Sequence, residues 1–189
     1  LIDQSYSNWE LIFYDNISSD DSLKIVKGFS DRRIQIHSSE VHLPLSKARK
    51  EAINLSKGVW LSFLDTDDLW NPEKLEKQIN EINKNSSEEQ QIHLIFGPCE
   101  VFSKHSIRMK DNALSGELFS ELLSGNYEVN WPTVMFSKEA YTELGGFSES
   151  YELTYDYDFL LRIASKFKYS FLPLNLAKYR LHESNLSKV

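Results

Sequence analysis

The chain has 189 residues, 41% of them hydrophobic and 13% aromatic, which is enough to bury one substantial core and too apolar for a disordered chain. With 28 acidic and 21 basic residues the formal charge is −7, so the totals provide no basic face and no nucleic-acid partner is expected. Cys99 is the only cysteine, which excludes an intrachain disulfide and a cysteine-based zinc site; no apolar run approaches the roughly 20 residues of a membrane span, and no signal peptide is visible. Such usage suits a reducing, cytoplasmic compartment, with peripheral attachment to the inner face of a membrane still open.

The first residue is Leu1, and residues 1–4 read as the tail of a helix, which points to something upstream in the natural protein. Residues 10–15 then form a strand, apolar until it ends in Asp15. A polar loop from Asn16 to Ser22 leads into a helix over 22–29, with Leu23, Ile25, Val26 and Phe29 inward. Residues 33–37 alternate like a short strand, and 46–55 form a helix with Ala48, Ala52, Ile53 and Leu55 on one face. Gly58 ends it, and 59–64 form a buried strand. Asn71-Pro72-Glu73 starts an amphipathic helix over 72–83 with a stripe of Leu75, Gln78, Ile79 and Ile82.

Beyond the polar loop at 85–91, residues 92–103 read as one long strand broken at Gly97-Pro98. A helix over 115–123 and a strand over 129–136 follow. Ser137 caps a helix over 138–144, which Gly145-Gly146 terminate. A helix over 156–167 and strands over 169–174 and 177–181 complete the chain. The alternation of strands and helices predicts an α/β fold with a mostly parallel central sheet flanked by helices, in one domain over 1–189. In such sheets ligands bind beyond the carboxyl ends of the strands, where Asp15 and Asp65 both stand.

The stretch Leu64-Asp65-Thr66-Asp67-Asp68 places three carboxylates at the tip of an apolar strand. Like charges so close repel and raise each other's pKa, and a divalent cation with oxygen ligands relieves this. A solvated acidic loop before a helix is the bland alternative. Asp65 and Asp67 can offer one carboxylate to a metal and one to a ribose or a water, while Asp68 faces the following helix start. Asp15 with Asn16 suits the edge of a pyrimidine base, or else is a strand-end turn residue. The second acidic cluster is Tyr155-Asp156-Tyr157-Asp158. Asp158 has Arg162 four residues on and reads as half of a structural ion pair, which leaves Asp156 as the general base or as a helix cap. His182 could complete a metal shell with Asp67 or contact phosphate, although a lone surface histidine near a chain end is also ordinary. Tyr127 and Trp131 could stack on a sugar, with core packing the safer reading.

Several stretches together resemble family 2 glycosyltransferases, the inverting enzymes of the GT-A fold. They are Gln4-Ser5-Tyr6-Ser7-Asn8-Trp9-Glu10 with Asp15 to Asp20, then Ser46-Lys47-Ala48-Arg49-Lys50, then Gly58 to Asp68. Leu144-Gly145-Gly146-Phe147, Tyr155 to Arg162 and Tyr179-Arg180-Leu181-His182 follow in the family's order. The resemblance implies a nucleotide-sugar donor, a UDP-sugar foremost, a glycan or lipid-linked acceptor, and Mn2+ or Mg2+ as cofactor. By position it implies that Asp15 contacts the base, Arg49 lies near the nucleotide, Asp65 and Asp67 serve ribose and metal, and Asp156 deprotonates the acceptor. Residues 1–91 then form the donor-binding half and 92–189 the acceptor-binding half. Asn16, Ile17, Lys50 and Tyr155 depart from the pattern, Ile17 most pointedly because a glycine there tolerates turns that a β-branched residue resists. The resemblance also implies a first, central strand upstream of Leu1 that carries part of the nucleotide site.

Two other functions compete. A phosphohydrolase of the haloacid dehalogenase type also sets Asp-x-Asp after an apolar strand, but Leu69 stands where that class has Thr or Val. A glycosyltransferase-like module without activity would bind a partner instead, against which the retained Asp65, Asp67 and Asp156 argue.

Overall fold

A computed structural model describes all residues except 88–89, 105, 111–113, 115, 184 and 186–189. Strand β1 (Leu11–Asp15), helix α1 (Ser22–Lys27), strand β2 (Ile34–Ser38) and helix α2 (Leu45–Leu55) follow the predicted alternation. Strands β3 (Trp60–Leu61) and β4 (Leu69–Trp70) bracket the acidic tip and lead into α3 (Lys74–Asn85). The long apolar run divides into β5 (Ile92–Phe96) and β6 (Cys99–Phe102), followed by β7 (Ile107–Lys110) and α4 (Leu118–Leu123). A 3-10 turn at Trp131–Thr133 precedes β8 (Met135–Ser137), α5 (Lys138–Glu143), α6 (Tyr155–Lys166), β9 (Lys168–Phe171) and β10 (Ala177–Arg180).

Local chemistry accounts for most boundaries. Gly97-Pro98 separates β5 from β6, since proline has no N–H for a ladder. Pro132 has the same effect at 129–136, where the predicted strand starts as the 3-10 turn. Ser137 Oγ accepts the Ala140 N–H and so caps α5 as expected, and Gly145 and Gly146 end that helix at φ +75° and +78°. The strand predicted over 59–64 keeps ladder pairing only in β3. It has β8 on one side, antiparallel, while its other side faces a cavity of about 600 Å3.

The strands form three hydrogen-bonded groups: β1 with β2, β4-β10-β6-β7, and β3-β8-β5-β9. The α/β class holds, but the sheet is mixed rather than mostly parallel. β1/β2, β5/β9 and β6/β10 run parallel, whereas β3/β8, β5/β8, β4/β10 and β6/β7 run antiparallel. Connections as short as that from β6 to β7 leave no room for the crossover that parallel neighbours need. The cavity lies between β1 and β3, lined by Trp9, Leu11, Ile12, Trp60, Leu61 and Leu75 among others. Each of those two strands therefore has one edge paired and one edge on the cavity. In the main core Phe136 meets Phe159 at 4.9 Å and Phe147 packs edge-on against Tyr141, Tyr155 and Phe159. Tyr127 and Trp131 are buried in that core, so the packing reading of both holds.

Candidate active site

The acidic tip is a tight turn, with the Asp68 N–H donating to the Asp65 carbonyl at 3.1 Å. Strand β10 is brought alongside by its antiparallel pairing with β4, and this delivers two residues of the Tyr179-Arg180-Leu181-His182 stretch. His182 Nε2 lies 2.7 Å from Asp67 Oδ2, so the two residues singled out as metal ligands do meet. Both side chains are about one-third exposed, open to a further ligand. Arg180 Nε donates to the Asp67 carbonyl at 2.9 Å, and the Arg180 N–H donates to Asp68 Oδ1 at 2.9 Å. Asp68 therefore turns to β10 rather than to the start of α3. It is buried and its Oδ2 has no hydrogen-bond partner among the described residues. Burial, with Asp67 and Asp65 beside it, pushes its carboxyl up to about 7 against the pull of the Arg180 N–H.

Arg49 is the centre of the arrangement. It projects from α2, is 7% exposed, and donates from Nη2 to Asp65 Oδ1 at 2.5 Å and from Nη1 to the Tyr155 hydroxyl at 2.6 Å. Its guanidinium sits over the rings of Phe63, Trp131 and Tyr155 at 4.9, 5.8 and 5.7 Å. Cation–π contact of this kind compensates the charge for lost water. Tyr155 opens α6, next to Asp156, so one side chain ties the acidic tip to the helix that carries the second acid. Burial raises the Asp156 carboxyl from its ordinary value; the Tyr157 N–H and the nearby Arg49 charge oppose that rise. Asp158 and Arg162 form the expected ion pair at 2.7 Å, and Arg162 also donates to the Leu144 and Gly146 carbonyls. This leaves Asp156 as the acid of the cluster without a structural cation of its own.

At the end of β1, Asp15 is buried and accepts the Ser18 N–H at 3.2 Å, holding the turn after the strand. Asn16 closes the same loop by exchanging hydrogen bonds with the Leu43 backbone at 2.8 and 2.9 Å, so its amide is committed to the fold. Between them this loop holds Ile17 at φ +64°. Sequence reasoning missed the Tyr155 contact with Arg49 and the grip of Arg180 on the tip. Tyr155 carried a signal in its departure from the family pattern, and Arg180 lay in a matching stretch without a role assigned to it.

Among the described residues no helix is long and apolar enough to cross a membrane. The sequence profile of Glycosyl transferase family 2 matches residues 1–144. The chain is 32% identical over 189 residues to UDP-Glc:alpha-D-GlcNAc-diphosphoundecaprenol beta-1,3-glucosyltransferase WfgD of Escherichia coli, a match covering 99% of this chain and 71% of WfgD. It is 29% identical over 193 residues to the amylovoran biosynthesis glycosyltransferase AmsB of Erwinia amylovora, covering 96% and 63% respectively. Among solved structures, TarS 1–349 of S. aureus in complex with UDP aligns at a TM-score of 0.67 and 18% identity, over 95% of this chain and 54% of that one. That likeness shows the fold, which is α/β of the GT-A kind as expected. The chain thus spans about half of the TarS fragment and 71% of WfgD. With the profile matched over most of its length, the chain belongs to glycosyl transferase family 2, and the enzyme class expected from its sequence, a glycosyltransferase, is the one it falls in.

Proposed function

We propose that this chain transfers a sugar from a nucleotide-sugar donor to an acceptor hydroxyl with inversion, in the synthesis of a bacterial polysaccharide or glycoconjugate. The observation that carries it is the placing of Asp65 and the Asp156 helix on the two arms of one buried arginine. A donor held at Asp65 is thereby set at a fixed distance from the only acid of the second cluster without its own cation. Asp156 takes the proton of the acceptor hydroxyl as that oxygen bonds the anomeric carbon. The bond from that carbon to the diphosphate oxygen breaks, and its electron pair leaves with the nucleoside diphosphate. One carboxylate suffices for such a displacement, and its burial makes it the stronger base. Asp65 takes the ribose, Asp15 at the end of β1 takes the base edge, and Arg49 orients the nucleotide through Asp65.

The donor set of one carboxylate and one imidazole, both partly open to solvent, fits Mn2+ or Mg2+ that draws its other ligands from phosphate and water. Among the described residues no cluster of three or more His, Cys, Asp and Glu side chains forms a closed cage. Asp67 and His182 would hold the ion, which when bound supplies positive charge to the leaving diphosphate. The donor and acceptor of WfgD, and the UDP bound by TarS, support a UDP-sugar donor and a lipid-diphosphate-linked glycan acceptor. In this reading the reaction runs at the cytoplasmic face of a membrane, with residues 1–91 serving the donor and 92–189 the acceptor.

Turnover of UDP-, GDP- and dTDP-sugars with Mn2+ tests this. We expect metal-dependent release of nucleoside diphosphate, lost by about 10²- to 10⁴-fold in Asp156→Asn with nucleotide binding kept. Phosphate release from simple esters, abolished by Asp65→Asn, would favour the phosphohydrolase. No turnover by the whole natural protein would favour a binding module. The cavity between β1 and β3 bears on the same reading, because an extended strand there would give both open edges a partner. Nucleotide affinity should rise when an added peptide strand fills that cavity, and equal affinity by calorimetry would remove that part of the reading.

A further inference from the structure

Lys74, in the first turn of α3, is completely buried, and no carboxylate among the described residues pairs with it. Its Nζ donates to Ser62 Oγ at 2.9 Å and to Gln78 Oε1 at 2.8 Å, and it sits 4.1 Å over the Trp70 ring. The amine is thus held by two oxygens and a π face. Both oxygen partners pass the contact on. Ser62 Oγ donates to the Val134 carbonyl. Gln78 Nε2 donates to the Thr133 carbonyl at 2.8 Å, with Ile95 O further off at 3.4 Å.

These contacts flank the platform under Arg49. Ser62 precedes Phe63, and Thr133 and Val134 follow Trp131; the Phe63 and Trp131 rings stack at 5.8 Å and 18° directly beneath the guanidinium. A methionine would fill the same space without the cost of taking an amine out of water, and replacing buried charge by apolar groups is often neutral or stabilising. Burial also presses the Lys74 amine well below its ordinary pKa. Stability therefore gives little reason for a lysine here, whereas a junction that must hold one arrangement does.

We propose that Lys74 is a positioning residue: through Ser62 and Gln78 it locks the strand that delivers the acidic tip to the Trp131–Thr133 turn, and so fixes the Phe63–Trp131 platform on which Arg49 bridges Asp65 and Tyr155. This rests on the glycosyltransferase reading only for its consequence in catalysis; the lock itself is a property of the fold.

Amide hydrogen exchange on the whole chain tests it, in Lys74→Met and in Ser62→Ala, the second because it keeps the lysine should the first fail to fold. The loss of one buried hydrogen bond predicts exchange faster by about tenfold at residues 62–68 and 131–135 in both variants, with β5 and α6 unchanged. The double variant should exchange no faster than the quicker single one, as expected of a unit. Uniform acceleration across the chain, or none, overturns the proposal, since a lysine serving stability alone would move all amides together. Calorimetry with UDP and Mn2+ forms a second arm, in which both variants should bind more weakly than the parent. Affinity equal to the parent's despite faster local exchange also overturns it. Failure of the parent itself to bind UDP counts against the functional reading, and the exchange pattern then decides the lock by itself.

Discussion

The two halves of the chain bury different chemistry. Among the described residues of 1–91, six apolar side chains are buried against seven polar or charged ones: Gln4, Asp15, Ser46, Arg49, Asp68, Lys74 and Gln78. From 92 onward, twenty-two apolar side chains are buried against Thr133 and Ser137. The first half holds the open-edged β1/β2 pair, the cavity beside it and a β-branched residue at positive φ; the second holds the aromatic core around Phe136, Phe147 and Phe159. Buried polar groups cost free energy unless each is satisfied, so the first half gives up stability for directed donors and acceptors. The second half supplies the hydrophobic free energy that holds them in place. Arg49 to Tyr155, and Asp67 to His182, are two of the seams between them.

The contrast is broken most directly by comparing one truncation in each half. Phe136 is fully buried and touches Trp131, Tyr141, Phe147 and Phe159, so Phe136→Ala should cost about 3–5 kcal/mol. Ile12 is only half-buried on the cavity wall, and Ile12→Ala should cost about 1 kcal/mol, because the deleted atoms face space and not packed neighbours. Urea unfolding followed by circular dichroism measures both. Equal losses would mean that the β1 side is as well packed as the rest, and the contrast would fall.

The second half was also the easier to read. Most of its elements follow from apolar period, from Ser137 as a cap and from Gly145-Gly146 as a stop, all signals contained within a few residues, although β7 was not expected. The i,i+4 pair Asp158–Arg162 was readable for the same reason. In the first half, spacing located Asp15, Asp65 and Asp67 at strand ends but could not say what they touch. The Arg49 contact with Tyr155 joins residues 106 apart, and that of His182 with Asp67 joins residues 115 apart, and nothing in a local pattern encodes such pairs. Gln78 lay on the predicted inner stripe of its helix, yet Lys74 as its partner required the fold. Pro132 is visible in the chain, but β7 was not expected, and strand direction depends on which strands become neighbours, which no local signal states.

A change at the seam should be smaller in stability and larger in chemistry. Arg49→Met keeps the volume roughly and removes both hydrogen bonds, freeing the tip from α6. Turnover should fall by about 100-fold, the scale on which small misplacements of reacting groups act. The pH dependence carries a sign as well. Asp156 must be deprotonated to serve as base, and its pKa is already raised by burial while the Arg49 charge restrains it. Activity is therefore lost as pH falls through a pKa raised from the ordinary aspartate value. Without Arg49 that restraint goes and Asp65 is left unneutralised, so the acidic limb of kcat/KM should move to higher pH. A limb that stays in place would separate Asp156 from the proton transfer or from Arg49.

The smallest change bears on the first half alone. Ile17 is 49% exposed and sits at φ +64°, in a loop tied down on both sides by Asp15 with Ser18 and by Asn16 with Leu43. A left-handed conformation costs an L-residue about 1–2 kcal/mol, and a β-branched one has fewer ways to relax it. Glycine takes that conformation freely, but its extra freedom in the unfolded chain returns about 0.4–1 kcal/mol of the gain. Little packing is lost, because half of the side chain is already in water. Ile17→Gly should therefore stabilise the chain by at most about 1 kcal/mol, a rise in midpoint of a few degrees on thermal unfolding. The residue lies between Asp15 and Ser18 at the end of β1, so strain relieved there with no change in nucleotide affinity would mark it as incidental. A gain in stability that comes with weaker binding would instead mean that the isoleucine holds the loop in the shape the nucleotide meets.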